Sequence, residues 1–524
     1  MTDLTLTLLI AVPLLGAIVV AFLPATLAKP VGLAVSLLTL VWAVVGVLLP
    51  FEVGGGMQLT EEVPWIAPLG VSYALGVDGL GLLMVLLTAV LVPIVLVASW
   101  RDADGDVVSA DGHSGALVPS RARGFVAWAL ALEALSLAVF TATDVFLFYI
   151  VFEATLIPAY FLIGGFGREG RGRAAVKFLV YQLAGGLIML GAVIGLYVVS
   201  ARAGAPTYSL AELSAMEIDP TAQKWLFLGF FIPFAIKAPM FPVHTWLADT
   251  TEKATPGTSV LLVCILDKIG TFGMLRFCLG MFPEASVWAT PVVVILALVS
   301  IIYGALVAIG QDDLLRLIGL TSLSHFGFIV LGIFVFTSQG GAGAILYMVN
   351  HGIGTAMLFL VAGYLIHRTG TASISAMHGV EKVAPVLAGL FLVAGLAAAG
   401  LPGLSTFVSE FLVIVSAFDY AWWAGAVAVL AIVLAAVYVL RAYQRIMTGP
   451  EVSATVTSRW SDLSRREVSA VAPLVLALVL FGFYPAPLLD VINPQVEQTL
   501  TQVGVNDDGP VVPAGDSEAQ GGDH

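Results

Sequence analysis

Six ionisable side chains lie in the middle of long apolar runs: Glu153 in FYIVFEATLIPAYF, Lys237 in IPFAIKAPMF, Lys268 in LLVCILDKIGTFGMLRF, His325 in LTSLSHFGFIV, His351 in YMVNHGIGTAM and Glu410 in STFVSEFLVIV. A charge at the centre of a bilayer costs a few kcal/mol even on the most lenient scale, so groups placed this way are functional candidates by default. The chemistry open to them is proton transfer. Burial disfavours an ammonium and a nearby carboxylate favours it, so a Glu and a Lys whose separation changes can hold, release and re-hold a proton. Glu153 and Lys237 are expected to form such a pair. Lys268 is a second relay lysine, although Asp267 beside it points about 100° away on a helix and need not pair with it. Histidine titrates nearest physiological pH and suits proton hand-over. His325 and His351 have Ser322, Ser324 and Asn350 as polar neighbours that could hold waters. Glu410 closes the line, or partners only Ser405 or Thr406 as a neutral acid. Glu133 is a possible third carboxylate. His244, with Asp249, Glu252 and Lys253, caps a half-channel or solvates a turn. Against all this stand a static ion pair and two core histidines, which are the ordinary fates of these residue types taken singly.

The elements that must position these groups are helices in lipid. Of the 524 residues 59% are hydrophobic and 11% charged, with a mean hydropathy of +1.00. Soluble domains run near a quarter charged. The fold class expected is an all-α polytopic membrane protein. A spanning helix needs about 20 mostly apolar residues, and about fourteen such windows occur, with cores at 5–23, 31–50, 79–99, 124–143, 145–165, 175–200, 224–247, 258–282, 288–309, 314–337, 342–366, 384–416, 424–446 and 469–489. The first lacks a basic flank and a clear cleavage site, so it is expected to be a retained helix rather than a signal peptide.

Lys and Arg gather in short cytoplasmic loops. Seventeen of the 22 lie in connections from an odd to an even span, from Lys29 to Arg466; only Arg202 and Lys224 lie in the opposite ones, and Lys237, Lys268 and Arg276 are inside spans. Both termini are therefore expected on the outer side. Arg276 is expected to snorkel or to bind backbone carbonyls, and Asp144 to mark the outward mouth. The tail from Gln495 to His524 is expected to be flexible and acidic.

Two spans are interrupted. The seventh contains Pro233, Pro239 and Pro242, and the twelfth Gly400, Pro402 and Gly403. Paired discontinuous helices point to an inverted-repeat transporter with its site near the midplane. The spacing agrees, because Glu153 precedes Lys237 by 84 residues and His325 precedes Glu410 by 85. The expected organisation is residues 1–100 for helices 1–3, 101–285 for a first repeat of helices 4–8, 286–450 for a second, inverted repeat of helices 9–13, 451–490 for a loop and helix 14, and 491–524 for the tail.

Other chemistries find no support. The formal charge of −13 disfavours nucleic acid. Cys264 and Cys278 make neither a disulfide framework nor an iron–sulfur set, there is no P-loop, and GGFGREGRG at Gly164–Gly172 lies in a basic inter-helix loop with no strand before it. No metal and no cofactor is expected in this chain. His113, His367, His378 and His524 are given no role.

The stretches DVFLFYIVFEATLIPAYFLIGGFG, RAAVKFLVYQLAGGLIML, FAIKAPMFPVHTWLADTTEKATPGTSVLL, LRLIGLTSLSHFGFIVLG and AGLPGLSTFVSEFL closely resemble the antiporter-like subunits of respiratory complex I, in order, from about Asp144 to Glu410. Within that family, fourteen spans and Glu410 fit the subunit with glutamate where its NuoL- and NuoN-type sisters have lysine. The resemblance implies a proton-translocating subunit of a bacterial NADH:quinone oxidoreductase in the plasma (inner) membrane. Glu153 and Lys237 would be the coupled pair, Lys268 the central relay, His325 and His351 parts of a hydrated axis, and Glu410 the group nearest the exit or the next subunit. It also implies a chain without redox chemistry of its own: NADH, FMN, iron–sulfur clusters and quinone belong to partner subunits, and the partners of this chain are the NuoL- and NuoN-type subunits, lipid and protons. Two departures stand out: Ala248, Asp249 and Thr250 where the family usually has Pro-Asp-Ala, and Asp267 beside the relay lysine. The alternatives are a subunit of a multisubunit Na+/H+ antiporter, which shares these motifs, and a non-pumping structural spacer; an organic-substrate carrier would need a polar, aromatic-lined pocket that is not evident.

Overall fold

The computed structural model describes residues 4–100, 119–204, 206–449 and 461–505. Arg101, His113, Arg459, His524 and the tail after residue 505 lie outside the described residues.

The chain is a helical membrane protein. Its helices are α1 Thr5–Phe22, α2 Ala25–Trp42, α3 Gly79–Ala98, α4 Pro119–Thr141, α5 Val145–Ala154, α6 Leu156–Phe166, α7 Arg171–Arg202, α8 Leu210–Ser214, α9 Pro220–Lys237, α10 Thr245–Lys253, α11 Pro256–Val260, α12 Lys268–Gly273, α13 Pro283–Ile309, α14 Leu314–Phe334, α15 Ser338–Thr369, α16 Pro385–Ala398, α17 Ser405–Tyr420, α18 Trp422–Met447, α19 Arg465–Phe483 and α20 Ala486–Val503. Among the described residues, twelve helical stretches are long and apolar enough to cross a bilayer, and each coincides with one of the fourteen apolar windows. The other two windows are the seventh and the twelfth. Each is divided into two shorter helices, α9 with α10 and α16 with α17, because proline removes a helix donor and Gly400 and Gly403 adopt positive φ.

Burial sorts the helices into shells. Only about a third of the residues of α1 and α2 are buried, and Leu15, Phe22 and Leu38 are exposed as expected of lipid-facing positions. In the stretches Pro256–Leu279, Leu314–Phe334 and Ser338–Thr369 the most apolar windows are wholly buried. A helix apolar all round belongs in the middle of the bundle, and these three carry Lys268, His325 and His351.

Two elements escape the apolar-window reading. A hairpin of β1 Gln58–Ile66 and β2 Val71–Val77 pairs antiparallel, Glu62 opposite Ala74, and turns at Gly70 with φ +69°. It serves helix ends: Glu61 Oε1 accepts the Leu6 amide at 2.6 Å, and Asp144, which starts α5 by accepting from Phe146 and Leu147, also accepts the Ser72 amide at 2.9 Å. Free N-terminal amides of buried helices need such acceptors. The second element corrects the expected tail, since Gln495–Val503 belongs to α20. Ile492, Val496 and Leu500 are buried, and Val496 fills the space beside Gly341 of α15.

Candidate proton-relay site

The first interruption in the site is small. Helix α5 ends at Ala154 and α6 starts at Leu156, so Thr155 sits between them with its hydroxyl donating to the Phe152 carbonyl at 2.6 Å. Lys237, the last residue of α9 and fully buried, donates to that hydroxyl at 3.3 Å and lies 4.5 Å from the centroid of the Phe152 ring. The expected direct pair of Glu153 and Lys237 is therefore not closed: Lys237 reaches Thr155, two residues further on. Glu153 turns instead toward α7, where Gly186 leaves room for its carboxylate, and its Oε1 is buried without a hydrogen-bond partner. The break after Lys237 is held by substitutes for lost helix bonds, since Trp246 Nε1 donates to the Ile236 carbonyl at 3.0 Å and the Phe241 amide donates to Ser300 Oγ at 2.9 Å. Backbone this irregular survives in a membrane only when it is buried in protein or lines a wet cavity.

Lys268 is placed by a second kind of irregularity. The Pro256–Leu279 stretch has π-helical turns at Leu261–Leu266 and Met274–Leu279, which bracket the short helix α12 that begins with Lys268. Single π turns inside helices recur at functional sites because the extra residue re-aims side chains. Lys268 Nζ lies 2.7 Å from His351 Nδ1, 3.4 Å from the Val263 carbonyl and 4.2 Å from the centre of the Phe326 ring. From His351 the line continues to His325, whose ring centre is 5.3 Å away at 82°. His325 Nε2 is 3.1 Å from the Ala398 carbonyl, so this nitrogen carries the proton, and Tyr438 Oη lies 3.4 Å from it. Ala398 ends α16, so His325 meets the second broken helix at a carbonyl freed by the break.

Glu410 sits just beyond, in α17. It accepts a short hydrogen bond from Tyr347, and its carboxylate packs against Gly400. Its partner is therefore Tyr347 rather than Ser405 or Thr406. Tyr347 lies one helical turn before His351 and 5.8 Å, ring to ring, from His325, so it joins the histidines to the glutamate. Sequence reasoning passed over it, although the four-residue spacing to His351 puts both on one face of α15. Asn350 ties the same helix to α17, donating to the Ser405 carbonyl at 2.7 Å. Ser322 and Ser324, expected beside the histidines as water holders, donate instead to the carbonyls of Ile318 and Ile301.

The remaining expected residues lie off this line or at its margins. Glu133 is buried in α4 with both oxygens unpartnered. His244 immediately precedes α10 and packs against Phe241 and Tyr303, outside the Lys268–Glu410 line. Asp249, Glu252 and Lys253 build an ion network: Arg316 binds Asp249 at 2.6 Å and Glu252 at 2.8 Å, Lys177 binds Asp249 at 2.6 Å, and Lys253 binds Glu252 at 2.7 Å. It clamps α7, α10 and α14 together. Arg276 neither snorkels nor binds carbonyls; it makes a bidentate pair with Asp78 at 2.5 and 2.6 Å, signalled in the sequence only by an acid opening the third span. This pair lines a cavity of about 750 Å³ beneath the hairpin, together with Glu61 and Asp144. Outside the spans, Asp312 accepts from Ser373 at 2.6 Å and from Ser375, and these bonds hold its carboxyl below the usual range.

Residues 142–435 match the family model described as NADH:quinone oxidoreductase/Mrp antiporter, TM. NADH-quinone oxidoreductase subunit M of Mycobacterium tuberculosis is 50% identical over 532 residues, covering 97% of this chain and 96% of the relative. A chain of respiratory complex I from Thermus thermophilus with bound NADH superposes with a TM-score of 0.84 at 33% identity, over 95% of this chain and 100% of that one. A chain of the Mrp complex from Dietzia sp. DQ12-45-1b shares the fold, with a TM-score of 0.80 at 23% identity over 95% of this chain and 98% of its own.

Proposed function

The chain belongs to the NADH:quinone oxidoreductase/Mrp antiporter family and is a multi-pass membrane-arm subunit of NADH:quinone oxidoreductase; from that premise we propose that it moves protons through its own buried side chains. The observation that carries this reading is the contiguous line of buried polar side chains Lys268–His351–His325–Tyr347–Glu410, four of which lie in stretches whose most apolar windows are wholly buried. Buried polar groups without a role are costly. Every member of this line either donates and accepts protons or bridges two that do.

Glu153 and Lys237 are the input. With Lys237 resting on Thr155 and Glu153 free on one oxygen, a change in charge next door alters their separation and sends a proton toward Lys268. One charge crossing the membrane requires about 2.3 kcal/mol per 100 mV, so the relay is driven from outside this chain. The drive comes from redox chemistry in partner subunits holding NADH, FMN, iron–sulfur clusters and quinone, passed on through the NuoL- and NuoN-type neighbours. The chain lies in the bacterial inner membrane with both termini outward, and spans 4–8 and 9–13 act as inverted repeats. The relative named subunit M at 50% identity favours this over a Na+/H+ antiporter subunit.

Glu153→Gln in the assembled complex tests the reading. Proton translocation in NADH-energised vesicles is expected to fall while assembly and NADH oxidation persist. Unchanged translocation with weakened assembly would instead make Glu153 a structural residue.

A further inference from the structure

Asp267 has no accessible surface, and neither of its carboxylate oxygens has a hydrogen-bond partner. It stands at the junction of the π turn Leu261–Leu266 and α12. Gly270, three residues on and therefore on the same face, is packed on the broken end of α9, where a methyl group would collide with the backbone of Ala238 and the Phe234 carbonyl. Asp267 is thus held beside the helix end that carries Lys237, and it interacts electrostatically with both Lys237 and Lys268.

Neither lysine has closed on it. Lys237 is bonded to Thr155, and Lys268 to His351 and the Val263 carbonyl. A static role would bring an ammonium onto the carboxylate, because an isolated buried charge costs several kcal/mol. The step from Lys237 to Lys268 is also one that no side-chain hydrogen bond spans.

We propose that Asp267 carries the proton between Lys237 and Lys268. The Lys237 ammonium gives a proton to the Asp267 carboxylate, leaving an amine and a carboxylic acid. The acid then protonates the Lys268 amine and returns to carboxylate, each transfer direct or through one bound water. This proposal rests on the proton-relay reading.

The test is Asp267→Asn in the intact complex, with NADH oxidation and proton translocation read in the same membrane vesicles and Lys237→Ala run beside it. Asparagine keeps size and polarity but cannot carry a proton, so D267N is expected to lower translocation roughly tenfold, less than the ~10²–10⁴ typical of general acid–base groups because water offers a detour. Asp267→Glu is expected to recover most of it. Full translocation in D267N with loss in K237A overturns the Asp267 step and leaves the relay; full translocation in both overturns the relay and the step together. If D267N does not assemble, infrared difference spectra of wild type and D267E decide: a carboxylic-acid C=O band that shifts between them supports the step, and identical bands overturn it.

Discussion

Two carboxylates, Glu153 of α5 and Glu410 of α17, are held in different ways. Glu410 is secured: Tyr347 donates to it, Gly400 receives it, and Asn350 and His325 bind α17 and α16 on either side. Glu153 also rests on a glycine, Gly186, yet its Oε1 has no partner, and its expected counter-ion is bonded to Thr155. The same device, a carboxylate seated on a glycine, appears once with a side-chain donor on the carboxylate and once without. A satisfied buried network specifies one geometry, whereas an unsatisfied one is under pressure to rearrange. On the proton-relay reading, the carboxylate of Glu153, with Lys237 and Asp267 beside it, is the one expected to move, and that of Glu410, held by Tyr347, is the one expected to stay in place.

Perturbing each half should expose that asymmetry. Gly400→Ala should have the largest effect, because its new methyl group meets the Glu410 carboxylate and the residue has φ +67°; strain of about 1–3 kcal/mol is expected there, seen as reduced yield of assembled complex together with reduced pumping. Tyr347→Phe comes next. It removes the donor to Glu410 and leaves a buried acceptor short at a cost of about 1–3 kcal/mol, so proton translocation should fall severalfold with assembly unchanged. Gly186→Ala should be milder, since Gly186 has ordinary helical backbone and only the free end of Glu153 must swing aside; a loss about equal to that of Gly400→Ala would erase the contrast. The smallest effect is expected at Asp312, whose bonds to Ser373 and Ser375 pin the loop before α14. Its carboxyl is held below the ordinary range, chiefly by Ser373. Its stabilisation is then fully present above the unfolded value of about 3.9 and is lost as pH falls through the lower folded value. Asp312→Asn should cost the complex at most about 0.5 kcal/mol at neutral pH, discounted for solvent. The difference in thermal stability from wild type should shrink below pH ~4.

Most of the fold was legible because lipid leaves few options. Apolar windows located the twelve continuous stretches, and prolines and glycines located both breaks, since a spanning backbone can be interrupted only where something else satisfies it. The hairpin was not legible, as Gln58–Ile66 alternates weakly and carries Pro64. Helix α20 was hidden by its polar residues and Pro494, its packing coming from only a few apolar positions. At the site, ionisable residues in apolar runs announced Glu153, Lys237, Lys268, His325, His351 and Glu410. Their partners did not announce themselves. Thr155 and Tyr347 are unremarkable residues in membrane helices, and the preference of Lys237 for a threonine over a glutamate depends on where α5 yields to α6. The pair Asp78–Arg276 joins residues 198 apart, a distance that no local pattern spans.

If protons cross through side chains of this chain, the ratio of protons translocated to NADH oxidised, measured in vesicles holding the assembled complex with Lys237→Ala, falls well below wild type while NADH oxidation continues. A wild-type ratio in that variant would contradict that route.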